Sequence, residues 1–300
     1  DTGGSVRNPA SFCSTVGYKQ TYGLISRYGL ISYANSIEQI GPLTRTVEDA
    51  AFMLNLIAGI DPNDNTTVDN NNDDYLKDIN SGIEGKKIGI IKEMIGEGID
   101  PSVLSATKDA ISKLEGLGAT CEEVSLDMIK YSVAAYYIIT ATEAGSNLAR
   151  YDNLRYGYDF SVEGYEFNSY IEKARKKLGP EVTRRMILGG FVPSAGHAGK
   201  YFLKALKVKS KLTKQINDAF KKFDLLISPT VPILPFKIGE KINDPVALFL
   251  VDINTVTANL TGKPAISIPY AISNGLPIGI QLIANSMDDK LLLQAAHALE

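Results

Sequence analysis

The chain has 300 residues, of which 44% are hydrophobic and 22% are charged, and its formal net charge is −3. These values are typical of a globular protein with an ample core, and they give no sign of a basic surface that would wrap nucleic acid. No apolar run is long enough to span a membrane. Two cysteines and two histidines suit neither a disulfide framework nor a four-ligand zinc site, which favours a reducing, cytoplasmic location.

The first clear element along the chain is a helix over VEDAAFMLNLIAG, which follows Thr46. Thr46 suits the N-cap, the acidic residues after it suit the positive end of the helix, and Gly59 ends it. Four apolar residues fall on one face and predict a packing helix: Ala50, Met53, Leu54 and Ile57. Residues 61–82 then form an Asn/Asp-rich run that lacks the central glycine and the glutamate of an EF-hand, so we expect a solvated connection.

A strand–helix–strand pattern follows this connection. KKIGIIKE (86–93) reads as a buried strand, 101–118 as an amphipathic helix with Pro101 near its start, and ATCEEVSL (119–126) as a second strand. Such a βαβ unit predicts a sheet with parallel character.

The second half of the chain begins with a largely helical block over residues 129–222. Its last, lysine-rich helix favours a solvated face over a surface for tRNA or a partner protein. Three strands follow, at 224–228, 264–272 and 276–284, and the last two are separated by a hairpin-type turn over 273–275. A closing helix is predicted from about Asp288.

The stretch DTGGSVRNPASFC at the start of the chain carries the strongest chemical signal. Two glycines precede Ser5, so the backbone can pass close to a ligand and can aim its N–H groups at a developing oxyanion. The tripeptide alone also fits a turn that opens a helix or cradles a phosphate. A serine hydroxyl needs a base, and neither His197 nor His297 has an acid pattern that would orient it. A lysine held neutral by burial is the alternative base.

With VGYKQTYG, SRYGLI, QIGPLTRTVEDAA, LLISPTVP and NTVTANLTGKPAISIP, this stretch closely resembles the amidase signature family over essentially all 300 residues. The resemblance implies an α/β fold, with a mixed β-sheet core flanked by helices on both sides. It implies that residues 1–300 are a fragment of a single amidase domain, with the helical block 129–222 inside it. The family's second serine and its lysine lie upstream of Asp1, and the closing helix is expected to stop short of its natural end. The fragment alone is therefore expected to be close to inactive.

The resemblance assigns the chemistry to the glycine-rich stretch. In the family the serine after the paired glycines is the nucleophile, which here is Ser5. The amides of Thr2, Gly3 and Gly4, with that of Ser5 itself, are expected to hold the oxyanion. Lys19 is expected to be a surface or packing residue, because the family's base lies elsewhere.

Within the family, the blocks are most similar to the glutaminase subunits of tRNA-dependent amidotransferases. In those subunits an arginine meets the α-carboxylate of glutamine, an aspartate meets its ammonium group, and a tyrosine lines the pocket. The matching positions are Arg185, Asp252 and Tyr136, with Arg184 as a neighbouring ambiguity. Without the resemblance, Arg185 and Asp252 would read as ordinary surface or salt-bridge charges.

The implied reaction is hydrolysis of the side-chain amide of glutamine, with the ammonia used to amidate a tRNA-bound glutamate or aspartate. The expected partners are the B and C subunits of the amidotransferase and, through them, a charged tRNA, with ATP and Mg²⁺ bound at the partner. No cofactor, metal or membrane is expected for this chain. Two alternatives remain: a stand-alone amidase for another amide, or a non-catalytic fragment. The sequence departs from the family pattern at Gln20 and over HAGKY (197–201).

Overall fold

A computed structural model describes residues 1–70, 73–96, 98–156, 161, 163–194, 199–240 and 251–300. Contacts divide the chain into two compact units. The first unit comprises Asp1–Gly29, Ile37–Val133 and Lys209–Glu300, and the second comprises Leu30–Ser36 and Ala134–Val208. A single domain over residues 1–300 stays a prediction.

The first unit is built on a mixed seven-stranded sheet with the order β2-β1-β6-β7-β5-β3-β4. Its strands are β1 (Val16–Lys19), β2 (Leu43–Thr44), β3 (Lys87–Ile91), β4 (Thr120–Val124), β5 (Leu225–Pro229), β6 (Ala265–Ser273) and β7 (Leu276–Ala284). β3 runs parallel to both β4 and β5, while β1, β2, β6 and β7 pair antiparallel to their neighbours. This confirms the mixed sheet, and the parallel β3–β4 pair confirms the predicted βαβ unit.

The helices that the structure describes follow in chain order. They are α1 (Arg7–Phe12), α2 (Val47–Ile57), α3 (Pro101–Gly116), α4 (Ser132–Leu148), α5 (Phe167–Arg175), α6 (Pro180–Phe191), α7 (Phe202–Ala219), α8 (Val256–Thr261) and α9 (Asp289–Leu299). The helical block predicted for 129–222 corresponds to α4 through α7. Across the described ranges, no helix combines the length and the apolar character that a bilayer span requires.

Helices cover both faces of the sheet, as the alternation of β7 shows. Ile280 and Leu282 point into the main core, where α2, α3 and α9 pack, because alternate residues of a strand share a face. Gly279 lies on the opposite face, where its N–H donates to Ser11 Oγ of α1 at 3.1 Å. A Cβ at position 279 would stand 2.5 Å from that oxygen, so a glycine is required for α1 to approach.

Helix α2 begins as the sequence predicts but turns a different face to the core. Thr46 caps it by accepting a hydrogen bond from Asp49 N at 3.1 Å. The buried stripe is Val47, Ala50, Ala51 and Leu54. Met53 and Ile57 are 36% and 38% exposed, so their assignment to the packed face was wrong. At 100° per residue they lie roughly 70–110° from the centre of the stripe, at its solvent edge.

Candidate active site

Ser5 lies in a tight turn between Gly4 and the start of α1, and it is exposed. The Asn8 N–H donates to Gly4 O at 2.7 Å and closes this turn. Gly4 has a φ of 133°, and a Cβ there would stand 2.3 Å from Thr255 Oγ1. A glycine is thus required on both conformational and steric grounds, which lets the backbone beside Ser5 lie directly against α8 and its N-cap.

The backbone N–H groups around Ser5 fall into two sets, of which one donates to Asp1 and the other has no protein acceptor among the described residues. Val6 N and Arg7 N both donate to Asp1 Oδ2, at 3.3 and 3.2 Å. Within the described ranges, the N–H groups of residues 2 to 5 donate to no protein acceptor. An oxyanion is stabilised by N–H donors that have no other acceptor and lie beside the nucleophile. The role of Thr2, Gly3 and Gly4 as the oxyanion hole stays a prediction.

A buried ion pair holds the base of the turn. Arg7 is fully buried, and its guanidinium binds the Asp1 carboxylate through Nη2–Oδ1 at 2.6 Å and Nε–Oδ2 at 3.1 Å. Burial lowers the pKa of Arg7 to about 9, and the negative charge of Asp252 acts in the opposite direction. The arginine therefore stays charged at neutral pH, and it is matched by a two-pronged contact with its carboxylate.

The same guanidinium ties the turn to two distant parts of the chain. Arg7 Nη1 donates to Thr255 O at 3.1 Å and to Gln281 Oε1 at 2.6 Å, and Nη2 donates to Asn259 Oδ1 at 2.6 Å. Asn259 Nδ2 returns a hydrogen bond to Asp1 Oδ1 at 2.9 Å. Sequence reasoning missed this network, because an arginine near a nucleophile reads by default as an exposed charge.

Asp252, the predicted ammonium ligand, is joined to the Ser5 turn through the side chain of Asn8. Asn8 Nδ2 donates to Asp252 Oδ1 at 2.6 Å, and Asn8 also stands over Gly4. Asp252 is half-buried, three residues before Thr255. The structure therefore brings together Ser5 and Asp252, which are separated by almost 250 residues of sequence.

Arg185, the predicted carboxylate ligand, belongs to the second unit, where it lies on α6. Its Nε donates to Glu181 Oε1 at 2.7 Å, one of its Nη atoms bonds the Tyr33 hydroxyl, and 27% of its side chain is exposed. Arg184 binds the same glutamate at 2.8–2.9 Å. The hydrogen bond from Arg184, and also that from Arg185, lowers the pKa of Glu181. The two arginines thus share a glutamate while pointing in different directions, as their spacing on a helix predicts.

Tyr136, the predicted pocket tyrosine, is buried in α4 of the second unit. Its ring meets that of Tyr137 edge-on, with centroids 4.8 Å apart. The roles of Tyr136 and Arg185 toward a substrate stay predictions.

Lys19 is the candidate base nearest to Ser5 in sequence, but across the described ranges no side chain hydrogen-bonds the Ser5 hydroxyl. Lys19 is buried in β1, so of the two expected roles, surface or packing residue, the structure confirms packing. Its Nζ donates to Gln20 O at 3.0 Å and Lys263 O at 2.7 Å. Burial, followed by repulsion from Arg7, lowers the pKa of Lys19 to about 7. Its amine is thus held by two carbonyls, away from the serine hydroxyl.

The histidines offer no base that contacts Ser5 within the described residues. His297 lies on α9, where its ring bonds Asn80 Oδ1 at 3.0 Å, and the position of His197 lies outside the described residues. Over the same part of the chain, no three His, Cys, Asp or Glu side chains gather around a point that could hold a metal ion.

Gln20 is the first of the two departures from the family pattern. Gln20 is buried and donates through Nε2 to Gln39 Oε1 at 2.6 Å and Ile40 O at 2.9 Å. It therefore ties the end of β1 to the segment before β2. Of the 197–201 departure, residues 197 and 198 lie outside the described residues.

Comparison with known proteins identifies the class to which this fold and turn belong. The sequence profile of the amidase family matches residues 1–293. The chain therefore belongs to the amidase signature family.

Individual relatives share a more specific name. The chain is 66% identical over 300 residues to a protein of Cenarchaeum symbiosum and 50% identical over 301 residues to one of Methanosarcina mazei, each named as the A subunit of glutamyl-tRNA(Gln) amidotransferase. All of this chain is covered in both cases, and it spans 62% and 63% of the relatives' length. The crystal structure of the protein of that name from Thermotoga maritima superposes with a TM-score of 0.82 at 42% identity, covering 100% of this chain and 60% of that one.

Proposed function

We propose that this chain carries the nucleophile and the ammonium subsite of a glutaminase that serves a tRNA-dependent amidotransferase. The observation that carries the proposal is the hydrogen bond from Asn8 to Asp252, because it fixes a carboxylate beside the serine turn. The name shared by the relatives and the match to their sequences support the choice of glutamine as substrate.

The proposed reaction has two covalent steps. Ser5 Oγ attacks the side-chain amide carbon of glutamine and loses its proton to a base, and the carbonyl oxygen becomes an oxyanion facing the amides of Thr2, Gly3 and Gly4. The C–N bond then breaks, and the nitrogen leaves as ammonia after taking up a proton. Water attacks the resulting ester, which releases glutamate and restores Ser5.

The residues around the turn have supporting roles in this proposal. Arg7 and Asp1 hold the base of the turn that carries these N–H groups, while Gly4 leaves room for the turn to lie against Thr255. We propose as the base the lysine of the family's serine–serine–lysine arrangement, since no described side chain hydrogen-bonds the Ser5 hydroxyl. The released ammonia would pass to the B and C subunits of the complex, where bound ATP and Mg²⁺ would supply the activation of a tRNA-bound acid.

Asp252 and Arg185 separate this proposal from a stand-alone amidase. We propose that Asp252 accepts a hydrogen bond from the α-ammonium of glutamine and that Arg185 donates to its α-carboxylate. The substrates of an amidase for simple amides lack both the α-ammonium and the α-carboxylate, so such an enzyme needs neither charge for substrate binding. The half-buried carboxylate beside the nucleophile therefore favours an amino-acid substrate over a neutral one.

The test is the Ser5→Ala variant of the full-length protein. We expect glutamine hydrolysis to fall by a factor on the order of 10⁴–10⁶, because the covalent step is lost. Ser14→Gly is the matched control, since Ser14 is an exposed serine in the same segment with a φ of 55° that glycine adopts readily, and it should retain activity. Mass spectrometry of the quenched parent reaction should place a glutamyl adduct on Ser5; an adduct on another residue would overturn the assignment.

A further inference from the structure

The side chain of Asn8 lies at the junction between the nucleophile turn and Asp252. It is 7% exposed, its Nδ2 donates to Asp252 Oδ1 at 2.6 Å, and its backbone N–H closes the Ser5 turn. A Cβ on Gly4 would stand 2.9 Å from Nδ2, so the amide lies directly over the glycine next to Ser5. Asn8 therefore contacts both the turn that carries the nucleophile and the carboxylate of the proposed ammonium subsite.

The orientation of the Asn8 amide is fixed by the partner that it has. A carboxylate only accepts hydrogen bonds, so the nitrogen of the amide must face Asp252 and the oxygen must face away from that bond. Among the described residues, Asn8 Oδ1 is buried and has no hydrogen-bond partner. Buried acceptors without a donor are rare in folded proteins because they are costly, and each calls for an explanation.

Two strong donors of the surrounding network are already engaged elsewhere. The Arg7 guanidinium is bonded to Asp1, Gln281, Asn259 and the Thr255 carbonyl. The Thr255 hydroxyl donates to Gly3 O at 2.7 Å. Neither group donates to Asn8 Oδ1, which stays without a partner among the described residues.

We propose that Asn8 is a specificity-determining residue whose Oδ1 accepts a hydrogen bond from the α-ammonium of the substrate, while its Nδ2 orients the Asp252 carboxylate for the same group. An amide oxygen and a carboxylate together offer acceptors to an ammonium, which has three donors and no acceptor. This inference rests on the proposed function and adds a second ammonium ligand to it. The site then selects amides that carry a cationic amine over isosteric amides without one.

The experiment compares L-glutamine with glutaramate, which has the same amide and carboxylate but hydrogen in place of the ammonium. In the full-length protein, Asn8→Ala should raise KM for glutamine about 10-fold with little change in kcat, because a uniform binding contact is removed. KM for glutaramate should change less than about twofold. Thr257→Val is the matched control: it removes the Thr257 hydroxyl on α8, which is also buried and without a partner in the described part of the chain, and it should leave the ratio of the two KM values unchanged.

Asn8→Asp provides a second variant that keeps the shape of the side chain. It places two carboxylates within hydrogen-bond distance, so that they share a proton. In this variant we expect KM for glutamine to depend on pH between about pH 5 and 8, whereas KM for glutaramate should stay independent of pH over that range. A residue that only supported the fold would shift both substrates together.

The possible outcomes separate this inference from the proposed function. If Asn8→Ala changes KM for glutamine and for glutaramate by the same factor, or changes neither, the inference is overturned. If Ser5→Ala still hydrolyses glutamine, the proposed function itself fails, whatever Asn8 does. A parent protein that uses glutaramate as well as glutamine would overturn the ammonium subsite, including the role of Asp252.

Discussion

Arg7 and Arg185 are both arginines that bind a carboxylate close to them in sequence, yet their surroundings differ. Arg7 is fully buried and its donors are divided among an acid, two side-chain amides and a backbone carbonyl. Arg185 keeps 27% of its side chain exposed, and its glutamate partner is 53% exposed. Burial and the number of partners therefore distinguish the two guanidinium groups: Arg7 holds backbone in place, whereas we propose that Arg185 exchanges its partner for a ligand.

The largest effect is expected when the buried pair is broken. Arg7→Met should lower the free energy of unfolding by about 3–5 kcal/mol, because Asp1 is left as a buried charge without its partner. Arg184→Met removes the corresponding exposed contact with Glu181 and should cost less than about 1 kcal/mol. Urea unfolding of the full-length protein measures both. Equal losses in the free energy of unfolding would contradict the expected difference between the buried and the exposed arginine–carboxylate contact.

Asp252→Asn tests the carboxylate beside the serine turn. The new amide oxygen can still accept from Asn8, so the fold should persist, while kcat/KM for glutamine should fall about 10–150-fold with the loss of a charge-assisted contact. Hydrolysis of glutaramate, which lacks the ammonium, should change little. If glutamine and glutaramate lose the same factor, Asp252 supports the fold and a stand-alone amidase becomes the better description.

Arg185→Lys tests the contact that we propose between this partly exposed arginine and the α-carboxylate of glutamine. Lysine cannot reproduce the two-pronged contact of a guanidinium with a carboxylate, so kcat/KM for glutamine and for glutaramate should both fall about 10-fold. The matched substrate is 4-aminobutanamide, which keeps the ammonium and lacks the carboxylate, and its hydrolysis should be nearly unchanged. A loss shared by all three substrates would show that Arg185 only anchors α6.

Local sequence patterns predicted most of the regular elements, because α3, β3 and the β6–β7 hairpin carry clear periodicity and end signals. The short elements α1, β1, β2 and α8 were not predicted, since two to six residues show no period. The nucleophile turn and Asp252 were predicted from the family resemblance. The contacts of Arg7 and Asn8 with residues 244 to 274 positions away could not be predicted, because local patterns carry no information on which distant polar groups will meet.

The smallest effects are expected from substitutions at two glycines, one in the Ser5 turn that Arg7 holds and one in α6, which carries Arg185. Gly4 beside Ser5 has a φ of 133°, and a Cβ would clash with Thr255, whereas Gly190 on α6 has nothing within 4 Å of such an atom. Gly4→Ala should lower the free energy of unfolding by about 1–3 kcal/mol through strain and displacement of α8. Gly190→Ala should raise it by about 0.5–1 kcal/mol, because alanine loses less backbone entropy in a helix. Urea midpoints should therefore move in opposite directions. Shifts of the same sign would show that the backbone at Gly4 is no more tightly constrained than the backbone of α6. The proposal that Arg7 holds the Ser5 turn in place would then lose its support.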